Sequence, residues 1–192
     1  MSVVIVAPDY DNATKYCHYW MRLLAERAES LGYSVIMLER EEAVRRRVEE
    51  VLDSQFVFIG SGHGTEDLYT AQDRDIILAR NENEELMSGR ICYLVSCLCG
   101  QRLGPSIVEH DSIGFLGWDR EFIWPSDRTL SVEEDDLARP FGEMVVEAGV
   151  ALLRTRSVEG ALRAGVNVAR AKAEEYKYRG LGGLGAARWL DW

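Results

Sequence analysis

Short, mostly apolar blocks alternate with longer amphipathic stretches through the first two thirds of the chain. Residues 3–6 (Val-Val-Ile-Val), 34–38 (Ser-Val-Ile-Met-Leu), 56–59 (Phe-Val-Phe-Ile), 91–95 (Ile-Cys-Tyr-Leu-Val) and 112–116 (Ser-Ile-Gly-Phe-Leu) predict strands covered on both faces. Between the first two, Tyr16, Tyr19, Trp20, Leu23, Leu24, Ala28 and Leu31 recur at helical spacing over 14–31, and Gly32 supplies the stop. Val44, Val48, Val51 and Leu52 predict a second helix over 41–53. Strand, helix, strand, helix, strand with short links predicts right-handed crossovers and a parallel sheet. Residues 65–90 are polar except for the island Ile-Ile-Leu-Ala at 76–79, which predicts a hairpin or a long loop. A second loop, 118–136, ends in an acidic cluster at 133–136 that reads as a solvated helix start. Helical spacing then dominates 141–153 and 158–178, broken near 155–157, and predicts a C-terminal helical layer over 137–180 that covers the sheet.

Composition leaves that picture standing. A chain of 192 residues, 47% hydrophobic and 28% charged, fits one compact α/β domain over 1–192, without repeats or low-complexity linkers. No apolar run approaches the roughly 18 residues of a membrane span. The N-terminus reads as a buried strand and not as a signal peptide, which predicts a cytoplasmic protein. A formal charge of −10 repels phosphate backbones, so nucleic acid is not an expected partner. Four cysteines, at 17, 92, 97 and 99, do not form the pattern of a disulfide framework.

In an open parallel sheet, ligands bind outside the carboxyl ends of the strands. That rule nominates the turns at 8–12, 60–65, 96–100 and 117–121. Two of them carry reactive groups: His63 follows the third strand and Cys97 the fourth. Either residue taken singly reads as a cap or as packing. Together, at neighbouring strand ends about 4.8 Å apart, an imidazole and a thiol make the minimum for nucleophilic catalysis. The amides of Gly64 and Cys97 are candidates for an oxyanion hole. A helix starting near Gly100 would lower the thiol pKa.

An apolar strand followed by His-Gly, then an apolar strand followed by a small residue and Cys, resembles the caspase-like clan of cysteine peptidases. The segment Phe56-Val-Phe-Ile-Gly-Ser-Gly-His63-Gly64-Thr-Glu is most similar to the gingipain type, as is Ile91-Cys-Tyr-Leu-Val-Ser-Cys97-Leu-Cys-Gly100. The resemblance covers residues 1–124. It implies a three-layer α/β/α sandwich with a mostly parallel caspase-like sheet. Cys97 would be the nucleophile and His63 the general acid/base, acting on a peptide or protein with no metal or cofactor. It also implies an S1 pocket lined from the loops after strands one, four and five: Asp9 and Asp11, Val95, and Trp118 with Asp119. An acid there suits a basic P1 residue, although Asp9 and Asp11 also read simply as turn chemistry.

Other readings stay open. A catalytically inactive domain of the same fold could serve as a protein-interaction module through the loop bearing Trp118 and Trp124. A flavodoxin-like phosphate site fits Pro8-Asp-Tyr-Asp-Asn12 poorly. Cys97-x-Cys99 with Cys92 and His63 lacks the spacing and second pair of a zinc site. Cys99 reads as packing under a helix, Cys92 as core, and Cys17 with His18 as unpartnered helix residues. Gly180-Leu-Gly-Gly-Leu-Gly185 satisfies GxGxxG but follows a helix, so it reads as a turn.

Overall fold

The computed structural model describes residues 1–179, so the GxGxxG segment at 180–185 lies outside the described residues. In the first unit, 1–122, the chain runs β1 (Ser2–Ala7), α1 (Asn12–Ser30), β2 (Ser34–Glu39), α2 (Arg45–Val51) and β3 (Val57–Ser61). It continues through β4 (His63–Gly64), β5 (Leu68–Thr70), β6 (Ile76–Ala79), β7 (Ile91–Val95), α3 (Leu103–Glu109) and β8 (Gly114–Leu116). Five of these strands form one parallel sheet in the order β2-β1-β3-β7-β8.

Both faces of that sheet are covered, which is why its central strands are apolar at nearly every position. Val4, Val6, Phe58, Cys92 and Leu94 point to one side, into a core with Val48 and Leu52 and with Leu103 and Ile107 of α3. Their neighbours Val3, Ile5, Val57, Ile59 and Tyr93 are equally buried and alternate to the other face. Helix α1 packs against β1, β2 and β3 there, burying Tyr16, Trp20, Met21, Leu24 and Ala28. The result is an α/β/α arrangement about a mostly parallel sheet.

Local chemistry sets the element ends. Asp11 caps α1, and Gly32 follows its last turn at φ +83, a left-handed conformation that glycine adopts without a Cβ penalty. Helix α2 is shorter than the apolar spacing suggests. The chain first makes a 3-10 turn at Arg40–Glu42, with Arg40 at φ +51, and Val44 is still extended. Residues 65–90 hold two strands of a small antiparallel sheet, β4-β5-β6, whose first strand carries His63 itself.

The second unit begins at Ile123 and contains α4 (Arg139–Thr155) and α5 (Val158–Tyr176), packed on each other. Arg156 at φ +53 ends α4, and the Ser157 hydroxyl accepts the Gly160 amide 3.1 Å away to start α5. The acidic cluster is not wholly solvated, because Asp135 is fully buried. Its carboxylate accepts the amides of Asp127, Leu137 and Ala138 and so organises the loop before α4. None of the described helices is long and apolar enough to cross a membrane.

Candidate functional site

Strands β3 and β7 pair in parallel register, with Ser61 opposite Val95. His63 and Cys97 each follow two residues beyond that pair, His63 in β4 of the small antiparallel sheet and Cys97 in the turn after β7. The Gly62 amide donates to the Val95 carbonyl at 3.2 Å and keeps the two chains together past the ladder. Gly62 has φ +151, and a Cβ there would sit 2.2 Å from the Thr70 carbonyl oxygen, so only glycine allows this turn into β4. A Cβ on Gly64 would meet Ser96 Oγ at 2.3 Å, Cys99 Sγ at 2.6 Å and the Cys97 carbonyl oxygen at 2.8 Å. The backbone beyond His63 is thus seated directly on the turn that carries Cys97.

The imidazole of His63 is held from the other side. Its Nε2 lies 2.6 Å from Oδ2 of Asp11. Oδ1 of the same carboxylate accepts the Thr14 amide at 2.8 Å and the Thr14 hydroxyl at 2.9 Å. Thr14 Oγ1 in turn accepts the amides of Tyr10 at 3.0 Å and Asp11 at 2.9 Å, completing a capping box at the start of α1. The Tyr10 ring meets the imidazole edge-on, centroids 6.1 Å apart. Burial pulls the Asp11 carboxyl upward, but the Thr14 amide and His63 outweigh it and hold the group below its ordinary value.

Cys97 has different partners. Its Sγ accepts the Phe122 amide at 3.3 Å and lies 3.8 Å from the Phe122 carbonyl oxygen. No hydrogen bond joins it to His63 among the described residues. Burial pushes the thiol up, against the Phe122 amide, and the Glu121 carboxylate adds to the rise. This corrects the expectation of a thiol lowered by a helix at Gly100. The turn after Cys97 continues to Arg102, α3 starts only at Leu103, and a helix dipole fades within its first turn.

The residues expected to line S1 are dispersed. Asp9 Oδ2 takes the Arg40 Nε at 3.3 Å, the Asp9 amide donates to Gln72 Oε1, and Oδ1 is buried without a hydrogen-bond partner. Asp11 is committed to His63 and Thr14. Val95 is buried at the end of β7. Trp118 is half-buried, stacked on Tyr93 at 6.0 Å and against Phe122 at 4.5 Å, while Asp119 is exposed. Thr14, Glu121 and Phe122 join the site without having been singled out. Of these only Thr14 carries a signal, the Asp-x-x-Thr spacing of a helix start.

The remaining thiols are buried and free. Burial pushes Cys17 up to about 12 and Cys99 up to about 11. Cys99 faces the Leu68 carbonyl and Ser96 Oγ, and His18 pairs with Glu39 at 2.9 Å.

No protein-family profile matches the sequence, and no curated protein matches it significantly. Among solved structures, the Arg-specific cysteine proteinase gingipain R is similar, with a TM-score of 0.57 at 11% sequence identity. The match covers 98% of this chain and 45% of that one, so the chain spans less than half the length of its structural neighbour. At that identity the likeness establishes the fold, a caspase-like α/β sandwich.

Proposed function

We propose that this chain is a cysteine peptidase with Cys97 as nucleophile, His63 as proton carrier and Asp11 orienting the imidazole. One observation supports the reading: His63 and Cys97 each follow two residues after the paired Ser61 and Val95, and the backbone of Gly64, next to His63, is seated against the Cys97 carbonyl. With Asp11 on Nε2, Nδ1 is the imidazole nitrogen left to take the thiol proton. As a peptide carbonyl arrives, the thiol proton passes to Nδ1 and an S–C bond forms. The electron pair moves to the carbonyl oxygen, which the Gly64 and Cys97 amides stabilise. Collapse breaks the C–N bond, and the amine leaves with the proton from Nδ1. Water then gives its proton to Nδ1 and its hydroxyl to the acyl carbon. The carboxylic product departs and the proton returns to sulfur.

The substrate class is a peptide or protein, with a preference for a basic P1 residue. Glu121, close enough to raise the Cys97 thiol, and exposed Asp119 support that preference better than Asp9 or Asp11, which are already paired. The proteinase of like fold is Arg-specific. The competing reading, a silent interaction module, draws on the thiol being bonded to Phe122 and not to His63. Peptides differing only at P1 separate the two. Cleavage of Arg and Lys peptides by the wild type, abolished in Cys97→Ala at an unchanged melting temperature, is the expected result. Undiminished turnover in Cys97→Ala would falsify the assignment, and no cleavage of any peptide by the wild type, or by variants in which the Phe122 contact to the thiol is loosened, would favour the module.

A further inference from the structure

Residues 118–122 run antiparallel to 97–101 and are bonded to them along their length. The Gly100 amide donates to the Trp118 carbonyl at 2.8 Å and the Leu98 amide to the Arg120 carbonyl at 3.1 Å. The Gln101 side-chain amide reaches the Asp119 carbonyl at 2.7 Å. The strip ends at Phe122, whose amide and carbonyl both address Cys97 Sγ. Close packing at Gly100 reinforces this, since a Cβ there would lie 2.9–3.0 Å from the backbone of Trp118 and Asp119. Aromatic contacts pin the far side: Trp118 against Tyr93 of β7, and Phe122 against Trp118 and Trp20 of α1.

We propose that residues 118–122 are an autoinhibitory strap, whose Phe122 peptide group holds the Cys97 thiol away from His63 until the strap is lifted. The inference rests on Cys97 being the nucleophile. A scissile carbonyl must come within about 3–3.5 Å of the sulfur, and one flank of Cys97 is already occupied by a peptide group of the chain itself. The thiol's own hydrogen-bonding capacity is spent on that group, a weak S–H donor facing a carbonyl and a sulfur accepting an amide. Burial raises the thiol while the Phe122 amide lowers it, so the strap acts by covering the sulfur and not through its pKa. Phe122 is also the last residue of the first unit, so the strap is continuous in sequence with the second.

Alkylation of Cys97 by iodoacetamide reads the strap without requiring turnover, because Cys17, Cys92 and Cys99 are buried. Two variants of the full chain are compared with wild type at neutral pH, the adduct being located by mass spectrometry. Gln101→Ala removes an exposed clasp and leaves the core intact. Phe122→Pro removes the amide that faces sulfur. We expect alkylation to accelerate about fivefold in Gln101→Ala, the scale of one lost hydrogen bond, and more in Phe122→Pro. Cleavage of the basic-P1 peptides should rise in parallel for Gln101→Ala. Alkylation rates equal to wild type in both variants, with native melting curves, overturn the strap. So does faster alkylation with peptide cleavage present but unchanged. Faster alkylation with no cleavage by any of the three proteins leaves the strap's hold on the thiol standing and overturns the peptidase reading instead.

Discussion

The turns bearing His63 and Cys97 leave adjacent strands at one level, yet they are held by different means. The His63 turn is fixed by side chains: Thr14 grips Asp11, Asp11 grips the imidazole, and the whole relay hangs from the first turn of α1. The Cys97 turn is fixed mainly by backbone, through the strip at 118–122 whose peptide groups bond Leu98, Gly100 and the thiol itself. A side-chain relay sets the orientation of one ring and yields to a single substitution. A strip held mostly by main-chain bonds depends less on the identity of its side chains. On the proposed reading, the acid/base partner is preset and the nucleophile is the half whose cover can change.

The sharpest way to break the comparison is at Gly64, where the two turns touch. An alanine there drives its Cβ into Ser96 Oγ, Cys99 Sγ and the Cys97 carbonyl, and the last of these is backbone that cannot rotate away. Gly64→Ala should cost about 2–3 kcal/mol of stability, read as a lowered urea midpoint at constant slope. A midpoint within error of wild type would show that the turns are not in contact in solution.

Asp11→Asn tests the His63 turn alone. Asparagine keeps the helix cap, so the cap itself should lose little. The imidazole loses its carboxylate, and turnover of the basic-P1 peptides should fall about tenfold or more, with alkylation of Cys97 unchanged. The Asp11 carboxyl is depressed in the folded protein, so its ionised form stabilises the fold above the ordinary aspartate value. That contribution is lost as pH falls through the lower folded value. The melting difference between wild type and Asp11→Asn should therefore be present at neutral pH and close below about pH 4. Solvent screening of a carboxylate 36% exposed keeps the gap small, about 0.5 kcal/mol. A gap that widens on acidification would remove Asp11 from this role.

What the sequence discloses and what it hides follow the same division. The parallel sheet is legible because apolar blocks at 3–6, 34–38, 56–59 and 91–95 are long enough for their pattern to separate from helix. The side sheet is not, since β4 has two residues and β5 three, too few for an alternation to register. The start of α3 is misplaced by three residues because the left-handed Leu98 prolongs the turn, and leucine is a residue that seldom advertises such a conformation. His63 and Cys97 stand out because each is a reactive group directly after an apolar strand. The Asp11–Thr14 cap is visible in its spacing, but its second duty toward a histidine 52 residues away has no local mark. The strap is invisible for a physical reason: the bonds that set its register, from the Leu98 and Gly100 amides to the Arg120 and Trp118 carbonyls, are main-chain groups that carry no mark of residue type.

The smallest effect expected is also within the Cys97 turn. Leu98 sits at φ +61, a conformation that crowds a leucine Cβ against its own carbonyl and that asparagine adopts more readily. Its amide is one of those bonded to the strap, so a residue that prefers this conformation should hold that amide in place at less cost. Leu98→Asn trades some half-buried apolar surface for that relief. The net change should be a gain of about 0.5 kcal/mol, within the usual range for a single backbone adjustment. If the strap depends on the shape of this turn, the variant should also slow alkylation of Cys97, the opposite of Gln101→Ala. A less stable variant that alkylates faster would mean that the leucine side chain, and not the backbone it distorts, keeps the nucleophile covered.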